Sequence, residues 1–237
     1  MIRVLLQHGS GAAGQRGSLL EGEAHHLLVR RVADGDSVEV RDGEGLVGLG
    51  RVVRVGRTWA VDVTEAERSP RPGELTLAVG AGDRDRFAWV VEKATELGVT
   101  SLIPLESERA AGVASRVRAQ HLERLRRHSL EVVKQCGAAW ATRVEEPLSL
   151  AELAARALVG EGWVADANGG AVPAVVGEIP LTVVIGPEGG LTAEELERLR
   201  RAGYAAVSLG VHTLRFETAA IAAAAAAAAG RLRGSDG

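Results

Sequence analysis

Twice near its C-terminus the chain runs an apolar stretch into a glycine turn and then into a helix-forming segment, a pattern that few architectures accommodate. The first copy is Leu181-Thr182-Val183-Val184-Ile185 followed by Gly186-Pro187-Glu188-Gly189-Gly190. The second is Ala205-Ala206-Val207-Ser208-Leu209 followed by Gly210-Val211-His212-Thr213-Leu214-Arg215-Phe216-Glu217-Thr218-Ala219. Strands this apolar are buried on both faces, as in parallel sheets covered by helices. Ligands bind such sheets at the carboxyl ends of the strands. The expectation is an α/β fold in which the two turns lie side by side at one edge of a parallel sheet and build a cofactor site.

The first turn is followed by clear helix punctuation: Thr192 as N-cap, Glu195 closing a capping box, and Gly203 past the last turn. Glycine turns before a helix present backbone N–H groups to a ligand, usually a phosphate. Here the phosphate signatures are missing, since no Gly-Lys-Ser/Thr ending or G-x-G-x-x-G occurs, and the Glu188 carboxylate would repel a phosphate. A carboxylate suits ribose hydroxyls, an adenine amine or a sulfonium. A plain connecting loop, with glycine supplying positive φ, is the other reading. After the second turn a helix is expected from Thr213 through Ile221 into the alanines at 222–229. Glu217 would favour that helix's dipole and Arg215 would oppose it, so Arg215 either serves a function or points to solvent.

Together, Gly186-Pro187-Glu188-Gly189-Gly190 and Leu209-Gly210-x-x-x-Leu214-Arg215-x-Glu217-Thr218-Ala219 resemble the SPOUT-class methyltransferases of the ribosomal small-subunit methyltransferase E family. That family methylates N3 of a uridine in small-subunit (16S) ribosomal RNA. The resemblance extends upstream through Glu92-Lys93-Ala94-Thr95-Glu96-Leu97-Gly98-Val99, Ser107-Glu108-Arg109, and His25-x-x-x-Val29-x-Arg31 with Gly35-Asp36 and Asp42-Gly43. It implies a PUA-like RNA-binding β-barrel, a C-terminal α/β domain with a deep trefoil knot, and a homodimer. A knot is a rare exception to the rule that connections do not thread loops, and patterning does not give it. The resemblance also implies S-adenosyl-L-methionine held by Gly186, Pro187, Glu188, Gly189 and Gly190. Leu209, Gly210, Leu214, Thr218 and Ala219 would contact it from the second turn, with a third loop near Asp166 and Ala167 after Trp163-Val164-Ala165. Expected on the RNA side are His25, Arg30, Arg31, Arg86, Lys93 and Arg109. One departure stands out: after Gln135-Cys136-Gly137 the family usually continues with an arginine and then a proline, whereas Ala138-Ala139-Trp140 follow here. Arg143 is the candidate replacement for that arginine.

For the reaction, the imide N–H of uracil is a poor nucleophile until its proton leaves or its charge is delocalised. Arg215 is the candidate to stabilise the developing imidate, and Glu217 to orient Arg215 or accept the proton. Glu217 as a simple dipole partner is the competing role. A SPOUT enzyme acting on another rRNA or tRNA nucleotide, or a non-catalytic RNA-binding assembly factor, also remains open.

Two domains are expected, at 1–72 and 73–237, divided by the stiff Ser69-Pro70-Arg71-Pro72-Gly73. In the first, alternating runs at Ser37–Arg41, Leu46–Val55 and 59–64 read as hairpins, preceded by a helix at 21–32. In the second, a strand is expected at 75–81 and a helix at 83–97. The net charge of −3 is unusual for an RNA binder. The stretch from Arg109 to Lys134, however, carries seven cations (Arg109, Arg116, Arg118, Arg124, Arg126, Arg127, Lys134) against Glu123 and Glu131. It reads either as a localised RNA-facing patch or as a solvated helix face paired with acids. With only seven aromatic residues, extensive base stacking is not expected. A single cysteine, Cys136, excludes an intrachain disulfide, and no His/Cys spacing suggests a metal. The first residues are too short and polar for a signal peptide and the alanine run is too short to span a bilayer, so a cytoplasmic protein without a membrane partner is expected. The alanine-rich helix itself suits close packing against another backbone, or is a surface helix.

Overall fold

The computed structural model describes residues 1–80, 82–110, 117–174 and 176–235. Arg116 of the basic stretch and Ala81 of the expected strand lie outside them. The chain forms two compact units.

The first unit gathers Met1–Arg71 and Leu130–Ala141. Its sheet contains β1 (Ile2–Leu5), β2 (Arg16–Ser18), β3 (Ser37–Arg41), β4 (Leu46–Val55) and β5 (Thr58–Arg68), in the order β1-β3-β4-β5-β2. β1 runs parallel to β3 and the other pairs are antiparallel. A single bridge, Leu6 to Leu19, joins the continuations of the two outer strands. Alternate residues Val38, Val40, Val52 and Val61 are fully buried, as the hairpin pattern requires. β5 runs to Arg68, beyond the expected end at Thr64, because pairing with β4 continues through Glu65, Ala66 and Glu67 on a solvated stretch. The helix α1 (Glu23–Val29) is shorter than expected, bounded by positive φ at Gly22 (91°) and Arg31 (56°). Leu130–Ala141 belongs with this unit for polar reasons. Arg3 donates to the carbonyls of Lys134 and Gln135, Lys134 pairs with buried Glu23, and Ala141 N–H donates to Gly43 O at 2.8 Å.

The second unit, Pro72–Ser129 and Thr142–Gly237, carries a parallel sheet. Its elements are β6 (Leu75–Gly80), α2 (Arg84–Glu96), β7 (Ser101–Glu106), the start of α3 (Leu122–Cys136), β8 (Arg143–Val144), β9 (Leu148–Ser149), α4 (Leu150–Ala155), β10 (Glu161–Ala171), β11 (Leu181–Ile185), α5 (Ala193–Arg201), β12 (Ala205–Ser208) and α6 (Phe216–Ser235). The order is β12-β10-β11-β6-β7-β8, with β9 also pairing β7, and every pairing is parallel. The mixed α/β expectation holds. One detail is corrected: β11 and β12 are not neighbours, because β10 lies between them. Sequential order does not fix spatial order, and the buried run Gly162-Trp163-Val164 takes the inner position.

Helices cover both faces of this sheet. On one, Leu77, Phe87, Val90 and the alanines 220, 223, 224 and 227 of α6 are fully buried together. On the other, Val164, Val184 and Leu199 pack with Tyr204. Each such Leu or Val contributes ~1.5–3 kcal/mol. The alanine run is therefore a packed helix, and its small side chains allow close approach to β6 and α2. No helix among the described residues is long and apolar enough to cross a membrane.

Candidate functional site

A cavity of about 340 Å³ opens at the carboxyl ends of β10, β11 and β12. Its first wall is the turn after β11, where Gly186, Pro187, Glu188, Gly189 and Gly190 all border the space. Close approach explains part of the glycine content: a Cβ on Gly80, at the end of β6, would stand 2.7 Å from Pro187 Cα. A Cβ on Gly82 would stand 2.7 Å from Glu188 Oε1. Gly190 adopts φ 69°, and its N–H donates to Pro187 O at 2.8 Å. The helix α5 begins with the capping box expected from Thr192 and Glu195, and Gly203 follows it at φ 95°.

The second wall follows β12. Leu209, Gly210, Leu214 and Ala219 border the cavity, whereas Thr218 is exposed and does not. Here α6 begins at Phe216, three residues later than expected from Thr213; Arg215 O accepts the first helical bond, from Ala219 N–H at 2.8 Å. The third wall is β10, where Asp166 and Ala167 sit between the two turns. There the pairing with β12 shifts register after Ala165. The apolar wall residues Leu196 and Phe216 were not singled out in the sequence; their signal was only an apolar residue beside each turn.

The wall combines two carboxylates, Glu188 and Asp166, with glycine backbone, apolar side chains, the hydroxyls of Ser208 and Thr213 and the imidazole of His212, and no lysine or arginine borders it among the described residues. That set suits a ligand with hydroxyls, a flat apolar body and positive charge; it does not suit a phosphate. Among the described residues no cluster of His, Cys, Asp and Glu could hold a metal.

Arg215 and Glu217 flank this wall without bordering it. Arg215 is exposed and its guanidinium has no partner among the described residues. Glu217, 8% exposed, faces Arg86 rather than Arg215: Arg86 Nη1 lies 3.5 Å from Oε1, while Oε2 is buried without a hydrogen bond.

The residues expected on the RNA side divide between the units. His25, Arg30 and Arg31 are exposed on and just after α1 in the first. In the second, Lys93 donates to Glu92 and Glu96 at 2.9 Å each, which raises its ammonium above the usual range. Arg109 donates to Gly189 O at 2.6 Å. The basic stretch is partly neutralised. Arg126 pairs with Glu123 and Glu146, and Lys134 with Glu23 and Glu131, while Arg118 and Arg124 are exposed.

Residues 69–228 match the RNA methyltransferase domain family. The chain is 31% identical to ribosomal RNA small subunit methyltransferase E of Aquifex aeolicus, over 87% of this chain and 93% of that protein. It superposes with TM-score 0.84 on the ribosomal RNA small subunit methyltransferase E of Neisseria gonorrhoeae bound to S-adenosyl methionine, at 26% identity over 95% of this chain and 96% of that one. A methyltransferase from Legionella pneumophila in complex with the same cofactor gives TM-score 0.83 at 25% identity, covering 94% and 95%.

Proposed function

The chain belongs to the ribosomal RNA small subunit methyltransferase E family, and from that premise we propose that it transfers methyl from S-adenosyl-L-methionine to N3 of a uridine in small-subunit ribosomal RNA. The observation that carries this reading is the cavity at the ends of β10, β11 and β12, with two carboxylates and no lysine or arginine in its wall among the described residues.

S-adenosylmethionine supplies an electrophilic methyl on a sulfonium. The Gly186-Pro187-Glu188-Gly189-Gly190 turn with Leu209, Gly210, Leu214 and Ala219 would hold and orient it, whereas Thr218 lies outside that wall. Glu188 and Asp166 favour its positive charge and its hydroxyls. Arg215, projecting from the start of α6 beside the wall, donates paired hydrogen bonds to a uracil carbonyl and so stabilises the imidate. Glu217 keeps Oε1 against Arg86; its unpartnered Oε2 is the acceptor left for Arg215 or for the imide proton. Alignment of donor and acceptor contributes to the rate as well.

The same reading takes 1–72 as a PUA-like β-barrel domain and 73–237 as the methyltransferase domain, with a trefoil knot and a cytoplasmic homodimer. His25, Arg30, Arg31, Arg86, Lys93 and Arg109 then serve the RNA, as free rRNA or the assembled subunit. The five-stranded sheet of the first unit is open in its pairing order, so the barrel rests on the family resemblance. The test is transfer of labelled methyl to rRNA, free and in subunits from cells lacking the enzyme, with the nucleoside identified by mass. Recovery of 3-methyluridine is expected. A different methylated nucleoside would reassign the substrate, and cofactor binding without transfer would leave a non-catalytic RNA binder.

A further inference from the structure

A turn made of glycines has few side chains with which to hold itself, so its position must be fixed from outside. The turn after β11 is pinned by the segment that follows β7. Arg109 Nη1 donates to Gly189 O at 2.6 Å, and the Arg109 stem lies along the turn: a Cβ on Gly189 would stand 3.2 Å from Arg109 Cβ. Glu195 holds the same segment from the other side. A capping box needs one carboxylate oxygen for the N-cap N–H, and Glu195 Oε2 supplies it to Thr192 at 2.8 Å. Its second oxygen, Oε1, accepts from the N–H of Glu108 at 2.9 Å. Glu195 is only 5% exposed, so both donors would be costly to leave unpaired.

We infer that Arg109 and Glu195 form a strap that positions the cofactor turn, Arg109 acting on the methyl donor through the carbonyl of Gly189. This rests on the proposed function and adds to it a link between the two substrates. Arg109 is exposed, and guanidinium donors other than Nη1 remain for an RNA phosphate. An RNA contact there would act on the cofactor turn, and the coupling is reciprocal: cofactor and RNA each change the other's affinity.

The experiment is calorimetric titration of S-adenosylmethionine into the full chain without RNA, for the native protein, Arg109→Ala, Arg109→Lys, Glu195→Gln and the double variant Arg109→Ala/Glu195→Gln, with melting temperatures alongside. Loss of a charge-assisted hydrogen bond on a turn bordering the ligand weakens binding about tenfold in Arg109→Ala, with little change in melting temperature. Arg109→Lys restores part of the affinity, because an ammonium reaches the same carbonyl. Glu195→Gln also weakens binding, and the double variant loses less than the sum, as expected of residues acting through one segment. In turnover, Arg109→Ala raises KM for the cofactor more than it lowers kcat. Native-like affinity in Arg109→Ala, or no recovery in Arg109→Lys, would overturn the strap while the proposed function stands. A native protein that binds no S-adenosylmethionine would overturn both.

Discussion

The two turns that wall the cavity are built in opposite ways. The one after β11 is fixed on every side: Gly80 abuts Pro187, Arg109 holds Gly189, and Glu195 ties its helix to Glu108. The one after β12 has, among the described residues, one side-chain hydrogen bond of its own, Ser208 Oγ to Gly210 O at 3.2 Å, and its tip, Val211, is 94% exposed. A segment with few buried contacts opens at low free energy. The first turn is thus tied by polar contacts from distant segments, and the second is held by Leu209 and Leu214 against the core while its tip stands free. Such a division lets a small molecule dock on the rigid wall and a larger one complete the site against the other.

Each prediction presses on that contrast. Gly80→Ala should have the largest effect, because the new Cβ meets backbone that cannot turn aside: destabilisation of about 3 kcal/mol and loss of cofactor binding, read by denaturant titration and calorimetry. Unchanged affinity would show the first turn to be less fixed than described. Arg215→Ala, at the base of the second turn, should lower kcat about a hundredfold while cofactor affinity and melting temperature hold, read by single-turnover kinetics. Thr192→Ala removes a cap and should cost about 1 kcal/mol in stability, with a modest loss of cofactor affinity. Val211→Ser should change stability by less than about 0.5 kcal/mol. If its effect matches that of Thr192→Ala, the second turn is not the loose half.

The same contrast separates what was legible in the sequence from what was not. The rigid half was legible because its devices are local: Thr192, Glu195 and Gly203 announce α5 within one short stretch, and Asp83 and Gly98 bracket α2 in the same way. The bounds of β3 and β4 followed from alternation. Distant pairings were not legible. Nothing in the local pattern places β10 between β11 and β12, or sends the spare oxygen of Glu195 to Glu108, 87 positions away. The partner of Glu217 was hidden likewise: Arg215 is nearer in sequence, but α2 packs beside α6 and delivers Arg86 instead. The helix expected from Thr213 begins only at Phe216, the chain staying non-helical through Arg215. Glu65, Glu67 and Arg68 concealed the end of β5, since a solvated strand edge has no apolar alternation to show.

Trp163 lies in the row that joins the two halves, opposite Val183 on β11 and Ala205 on β12, and is 2% exposed. Its indole shares a core with Phe216 and Ala219, both of which border the cavity. An indole so enclosed emits in the blue, apart from Trp89, which is 45% exposed and emits to the red. The indole of Trp163 is thus an optical probe of the sheet beneath the site, read over the emission of Trp59, Trp89 and Trp140, and replacing those three leaves its light alone to report on the cavity.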